Sequence, residues 1–263
     1  MVHSANPLAT SDPVELLVKH SFLFRGLDST WLRDYFNHSQ IISEKLYSNR
    51  PIYTAFRPDN QLAYLYVAVG GGPVIIRSTP LDRVLAIIYP QGCFGMRSLP
   101  VAFGQACRAF PSLVEAYKTT DVIKLPAAAI GALYANSPEF QRRYNFLFEL
   151  QEKFQYHLLN CSTYPPQAVA ALLRGLVYQE RGLGAQPQSD GTYQFDLSVD
   201  LIARACQLNH RTVEQVLKGM MRSGLIKVDK GADAGDSLQV INPEALKEVY
   251  GATRDRVAWW PLK

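Results

Sequence analysis

The sequence offers four cysteines in 263 residues, too scattered to build anything together. Cys93, Cys107, Cys161 and Cys206 show no C-x-x-C spacing, whereas zinc and iron–sulfur sites need thiolates that converge, usually in closely spaced pairs. Isolated thiols in a reducing compartment are the expectation. There is no apolar run of about 18 residues, which excludes a spanning helix. Met1 to Pro13 lacks a basic-then-apolar leader and reads as a loose polar tail, so a cytoplasmic protein is expected. Strong charge is missing too. The formal net charge is +4, which permits a polyanionic partner without arguing for one. Paired carboxylates on a defined scaffold, a nucleophile elbow and a nucleotide loop are all wanting, so the sequence does not read as an enzyme.

What is present suffices for two domains. Hydrophobic residues make up 48% and charged residues 19%, a composition that buries cores. Residues 14–37 carry a helical pattern: Leu16, Leu17, His20, Phe22 and Phe24 lead to Gly26, then Leu32, Tyr35 and Phe36 follow the capping pair Asp28-Ser29. Residues 40–125 are strand-rich. Leu62 to Val69 is a β-prone run, broken by Gly70-Gly71-Gly72-Pro73 and resumed at Val74-Ile75-Ile76; Val84 to Tyr89 is another, ended by Pro90-Gln91-Gly92. A strand rather than a helix follows the glycine triplet, so a hairpin turn is expected there, not a phosphate loop. Short strands between turn signals predict an antiparallel roll or sandwich.

A long helix comes next. Ser137 can cap it, Pro138 suits its first turn, and it must stop before Tyr164-Pro165-Pro166. Phe140, Tyr144, Leu147, Phe154, Leu158 and Cys161 recur at steps of four, three, seven, four and three, with Gln151 in the vacant slot. Such a heptad seam can pack on the chain's own roll or on a second copy. Self-pairing is the preferred expectation, because Phe146, Phe148 and Leu150 offer another face to the roll.

From Gln167 to Glu180 the pattern is helical again, followed by a polar loop, Gly182 to Gly191. Ser198 is a good N-cap, and Leu201, Ile202 and Ala205 form the buried side of a short helix. Gln207-Leu208-Asn209 makes a turn, and Asn209 can cap a second helix from His210 to about Ser223. Val213, Val216, Leu217 and Met220 form its buried stripe, and Gly224 ends it. Leu225 to Val228 and Ser237 to Ile241 then read as two strands of a β-wing around residues 230–235. This is a winged helix-turn-helix. Its second helix would enter the major groove, with His210, Arg211 and Gln215 toward base edges and Thr212, Lys218 and Arg222 toward phosphates. From Arg204 to Lys230 there are six lysines and arginines against Glu214 and Asp229. A Val/Leu/Met stripe alone is usually only core, and Arg211 with Lys218 alone is usually a solvated face. Cap, turn, stripe, wing and charge together favour DNA. The turn carries Gln207 where glycine is frequent, at a cost of ~1 kcal/mol if the backbone is left-handed.

The layout resembles the CRP/FNR superfamily of bacterial regulators over about residues 20–243. The resemblance rests on Leu65 to Gly71, a hydrophobic strand then glycine, on Tyr89 to Gly95, and above all on Leu201 to Ile226, with Asn209-His210-Arg211-Thr212-Val213 at the start of the reading helix. It implies an α+β protein divided into a tail and sensor-like, cyclic-nucleotide-binding-like β-roll (1–136), a dimerisation helix (137–162) and a winged helix-turn-helix (163–263). The DNA-binding residues would be Asn209, His210, Arg211, Thr212, Gln215, Lys218 and Arg222. Phe140, Tyr144, Leu147, Gln151, Phe154 and Leu158 would join two copies on an inverted repeat of double-stranded DNA, and the loop at 182–191 could meet RNA polymerase. The sequence departs from the cyclic-nucleotide branch. Met96 and Arg97 follow Gly95 where a glutamate is expected, and Phe110-Pro111 stand where Arg-Ser would hold a phosphate. The oxygen-sensing branch carries clustered N-terminal cysteines, and none precedes Cys93. Haem is unsupported, since His3, His20, His38, His157 and His210 show no ligand pattern. Phe94-Gly95-Met96-Arg97-Ser98-Leu99 looks more like the 2-oxoglutarate-sensing regulators, with Arg97 and Arg108 as a clamp for a small dicarboxylate. The leading expectation is no cofactor, or an effector of unrecognised kind; a redox role for Cys107 beside Arg108 is a further alternative. A ligand-binding or adaptor protein whose helix-turn-helix makes only protein contacts is the competing class.

Overall fold

The structure, a computed structural model, describes residues 12–36, 40–48, 50, 53–54, 63–78, 82–96, 99, 101, 112–160, 164–231 and 235–251. Two compact units are present. One holds the described residues up to Asp82 together with Ala86–Glu149; the other holds Arg83–Leu85 and the described residues from Leu150 onward.

The first unit opens with two short helices, α1 (Pro13–His20) and α2 (Ser29–Tyr35). Both start where a side chain satisfies the first free N–H groups: Asp12 accepts from Val14, and Asp28 accepts from Thr30 and Trp31. Eight strands follow: β1 (Ile42–Leu46), β2 (Tyr53–Thr54), β3 (Tyr64–Gly71), β4 (Val74–Ser78), β5 (Val84–Ile88), β6 (Cys93–Phe94), β7 (Ser112–Ala116) and β8 (Thr120–Pro126). They form two four-stranded sheets, ordered β1-β8-β3-β6 and β2-β7-β4-β5. Tyr66, Phe94 and Val122 from the first sheet pack with Val74, Ile88 and Val114 from the second, in a shared core. This is the expected antiparallel roll.

The glycine segment is not a hairpin. β3 pairs with β8 and β6 while β4 pairs with β7, so Gly71-Gly72-Pro73 carries the chain from one sheet to the other. The corner is tight. Gly71 has φ +89°, and a Cβ there would collide with the Thr119 carbonyl oxygen and stand 2.9 Å from Thr120 Cα. Thr120 Oγ1 donates to Gly72 O at 2.7 Å and closes the corner. The sequence pattern shows a break between two strands but not which strands each will pair with.

Helix α3 (Ala127–Asn136) leads to the long helix α4 (Pro138–Asn160). Ser137 Oγ accepts from Phe140 N at 3.2 Å, the expected cap. The seam assigned to a second copy is corrected by its burial. Phe140, Tyr144, Leu147, Phe154 and Leu158 are buried within one chain, and Gln151 is half-buried. Phe140 lies against Phe24 with ring centroids 5.3 Å apart, and the buried Tyr144 hydroxyl donates to Met96 O at 3.1 Å. The chain's own body takes the more apolar face, because burying aromatic area within the monomer needs no second molecule. Of the residues read as facing the roll, Phe148 and Leu150 are buried while Phe146 stands 39% exposed.

The second unit continues with α5 (Pro165–Gly182), β9 (Tyr193–Asp196), α6 (Val199–Cys206), α7 (His210–Arg222), β10 (Ile226–Gly231), β11 (Gly235–Val240) and α8 (Ala245–Gly251). α5 packs against α6, α7 and α8. β10, β11 and β9 form an antiparallel sheet in that order, with Val228 opposite Leu238 and Leu238 opposite Phe195. No helix among the described residues is long and apolar enough to cross a membrane.

Candidate nucleic-acid interface

The helix pair α6–α7 is set by its caps. Ser198 Oγ accepts from Leu201 N at 3.1 Å, and Asn209 Oδ1 accepts from Thr212 N at 2.8 Å. Between them Gln207 adopts φ 54°, ψ 41°, the left-handed conformation anticipated from the missing glycine. Leu208 N then returns to Ala203 O at 3.0 Å. Leu201, Ile202 and Ala205 of α6 and Val213, Val216, Leu217 and Met220 of α7 are all buried. Gly224, at φ +67°, ends the helix and sends the chain into β10.

With its inner side consumed, α7 turns its other side outward. Asn209, His210, Arg211, Lys218 and Arg222 are exposed; Thr212 and Gln215 are half-exposed. Arg211, Gln215, Lys218 and Arg222 follow at steps of four, three and four, one face of a 3.6-residue helix. The acidic Glu214 is exposed beside them. The cationic face and the free N–H groups of the helix start present positive potential to a phosphate backbone, while an arginine fork and a glutamine amide can pair with base edges.

Two expected site residues have local work of their own. Asn209 spends its side-chain oxygen on capping α7, leaving its amide NH2 for any outside contact. His210 Nε2 lies 3.2 Å from Asp200 Oδ1, and Asp200 also stands 3.7 Å from Arg204 Nη1. No signal in the sequence marks that pairing beyond the spacing of one helix turn across a tight bend.

The residues read as an effector site behave differently. Phe94 is buried and stacks on Tyr66 at 4.7 Å, and Met96 is buried with its carbonyl accepting from Tyr144. Both side chains are therefore core, which corrects their assignment to a ligand. Gly95 sits at φ +93° between them. Arg97, Arg108 and Cys107 lie outside the described residues. Cys93 is a buried thiol, pushed above its ordinary range by burial, so it is a poor nucleophile. Among the described residues no group of histidine, cysteine or carboxylate side chains could hold a metal ion.

Comparison with known proteins places the fold. No family model matches the chain, and no curated protein matches it by sequence. Solved structures do match. FixK2 from Bradyrhizobium japonicum is similar at 16% identity and a TM-score of 0.60, with 81% of this chain and 98% of that chain covered. A CooA mutant from Carboxydothermus hydrogenoformans gives 14% identity and 0.55, covering 81% and 88%. A transcriptional regulator of the CRP/FNR family, so described without experimental assignment, from Eubacterium rectale gives 15% and 0.52, covering 88% and 98%. The chain has the fold of the CRP/FNR regulators, in agreement with the resemblance read from its sequence.

Proposed function

We propose that this chain is a sequence-specific DNA-binding transcription regulator, acting in the cytoplasm as a homodimer on an inverted-repeat operator. One observation carries the reading: Arg211, Gln215, Lys218 and Arg222 lie on one face of α7, and the opposite face is wholly buried. A helix held in this way by a capped, left-handed turn can enter a major groove without rearranging. Arg211 and Gln215 then reach base edges, while Lys218 and Arg222 neutralise phosphates and release counterions.

A second copy would pair along the side of α4 that one chain leaves uncovered. Arg142, Phe146, Glu149, Lys153 and Tyr156 are exposed at steps of four, three, four and three, a second heptad register on the same helix. Phe146 and Tyr156 supply apolar area, and the charged positions can pair across a two-fold axis. Two reading helices related in that way would meet half-sites about one helical turn apart. The loop at 182–191 is offered as a contact for RNA polymerase.

The test is selection of duplexes from a random pool by the full-length protein, followed by salt titration of the best binder. Enrichment of an inverted repeat, with affinity falling steeply as salt rises, is expected. Salt-independent or absent binding at low ionic strength would leave the adaptor reading in its place.

A further inference from the structure

We infer, resting on the self-association proposed for α4, that the cavity between α4 and α5 receives the Tyr156 ring of a second copy, so that α5 shares in the paired surface. The cavity lies within the second unit and measures about 230 Å³. Ordinary ligand pockets are larger, roughly 300–1,000 Å³, yet a cavity of about 150 Å³ in another protein already admits a benzene ring. Phe154 closes one side, since a Cβ on Gly175 would stand 2.8 Å from a carbon of its ring. Tyr178 borders the cavity and is 51% exposed. Lys153, His157 and Arg174 also line it, and each is already engaged within the chain. The space therefore suits one aromatic ring and does not call for a charged ligand.

Continuity points to a second copy as the source of that ring. Lys153 lines the cavity and also belongs to the exposed strip of α4 that pairs in the proposed dimer. Tyr156 follows it in that strip, 66% exposed, and is not among the described residues that line the cavity of its own chain. In a parallel pair, which brings both reading helices to one operator, a side chain at 156 seats as a knob among Lys153, Tyr156 and His157 of the facing helix. Lys153 and His157 are the rim of the cavity on the α4 side, so the incoming tyrosine passes between them toward Tyr178.

Area points the same way. A stable interface takes about 20–30 residues a side, and the exposed strip of α4 offers Arg142, Phe146, Glu149, Lys153 and Tyr156. Pairing has to extend beyond α4, and α5 presents an exposed aromatic beside the end of that strip. By two-fold symmetry each copy gives one ring and one cavity. α5 is also the helix on which α6, α7 and α8 pack, so the clasp holds each reading helix to the dimer axis.

Cross-linking on the full-length protein tests this. Copies carrying Tyr156→p-benzoylphenylalanine are mixed with heavy-isotope copies that keep Tyr156, irradiated, and mapped by mass spectrometry. Links from position 156 of one copy to residues 171–178 of a heavy copy are expected. Links made only within one copy, or a co-purifying small molecule that is lost with Tyr178→Ala, would give the cavity another occupant and overturn the proposal. A dimer linked through α4 alone overturns it and keeps the self-association reading, whereas a sample that sediments as a monomer overturns both. Tyr156→Ala and Tyr178→Ala should each weaken self-association about tenfold, with melting temperature unchanged because both side chains are exposed. The double variant should weaken it by less than the product of the two effects; a full product would mean that the rings do not meet.

Discussion

Nε2 of His210 stands 3.2 Å from Oδ1 of Asp200, so the first residue of α7 is tethered to the helix before it. Both side chains are well exposed, and a pair in that setting adds little stability. Its consequence is orientation and local charge. Asp200→Asn should change the melting free energy by less than ~1 kcal/mol. It should nevertheless raise affinity for duplex DNA a few-fold at low salt, because a carboxylate beside the phosphate-facing surface is removed. Anisotropy titrations at several salt concentrations measure both affinity and slope; unchanged affinity would mean that Asp200 lies away from the DNA.

Arg211 and Lys218 should fail in different ways. Arg211→Ala should cost ~1–3 kcal/mol on the preferred site and flatten the preference at one base position. Lys218→Gln should weaken all sequences alike and reduce the salt slope by about 1. Parallel titrations on the selected duplex and a scrambled one separate the two roles.

The turn residues give a stability test independent of DNA. Gln207→Gly should stabilise the folded state by up to ~1 kcal/mol, since φ 54° costs glycine nothing. Asn209→Ala should destabilise by ~1 kcal/mol through loss of the bond to Thr212 N, while Asn209→Asp keeps it. Urea melts of the three variants suffice.

Glu180 supplies a pH signature. Burial pushes its carboxyl up from the usual 4.5 to about 7. The folded state thus favours the protonated form, and stability is full below the unfolded value, falls as pH rises from 4.5 to about 7, and is flat above. Glu180→Gln should match wild type near pH 4.5 and exceed it at pH 8 by up to ~3 kcal/mol. Chemical melts across that range would show parallel curves if the carboxyl were solvated.

The register of self-association is testable by charge. Phe146→Glu and Tyr156→Glu should convert a dimer to monomers in sedimentation, whereas Gln151→Ala should leave it intact. Both targets are exposed, Tyr156 at 66%, so the folded monomer should survive.

Local chemistry was legible in advance. Ser198, Asn209 and Gly224 act within a few residues of themselves, and each does what its side chain or its lack of one suggests. The two sheets were legible as strands and turns. The partners of β3 were not, because Leu65 meets Leu125 some sixty positions away. α4 misled for another reason. It carries two heptad registers, and hydrophobicity alone cannot say whether the richer one, with Phe140 and Tyr144, meets the same chain or another. Phe94 and Met96 read as ligand contacts because their segment resembles the 2-oxoglutarate-sensing regulators, yet Phe94 stacks on Tyr66 and Met96 is buried in the core. The close approach of Phe154 to Gly175 depends on two helices folding side by side, and neither shows it separately.

The passage from β3 to β4 sets a limit on how this chain can drift. Residue 71 pairs with Thr120 at a point where backbone fills the space any side chain would need. Gly26 and Gly191 share its positive φ but look onto open space. In a saturation library sorted for folded protein, codon 71 should return a single amino acid, while codons 26 and 191 tolerate asparagine.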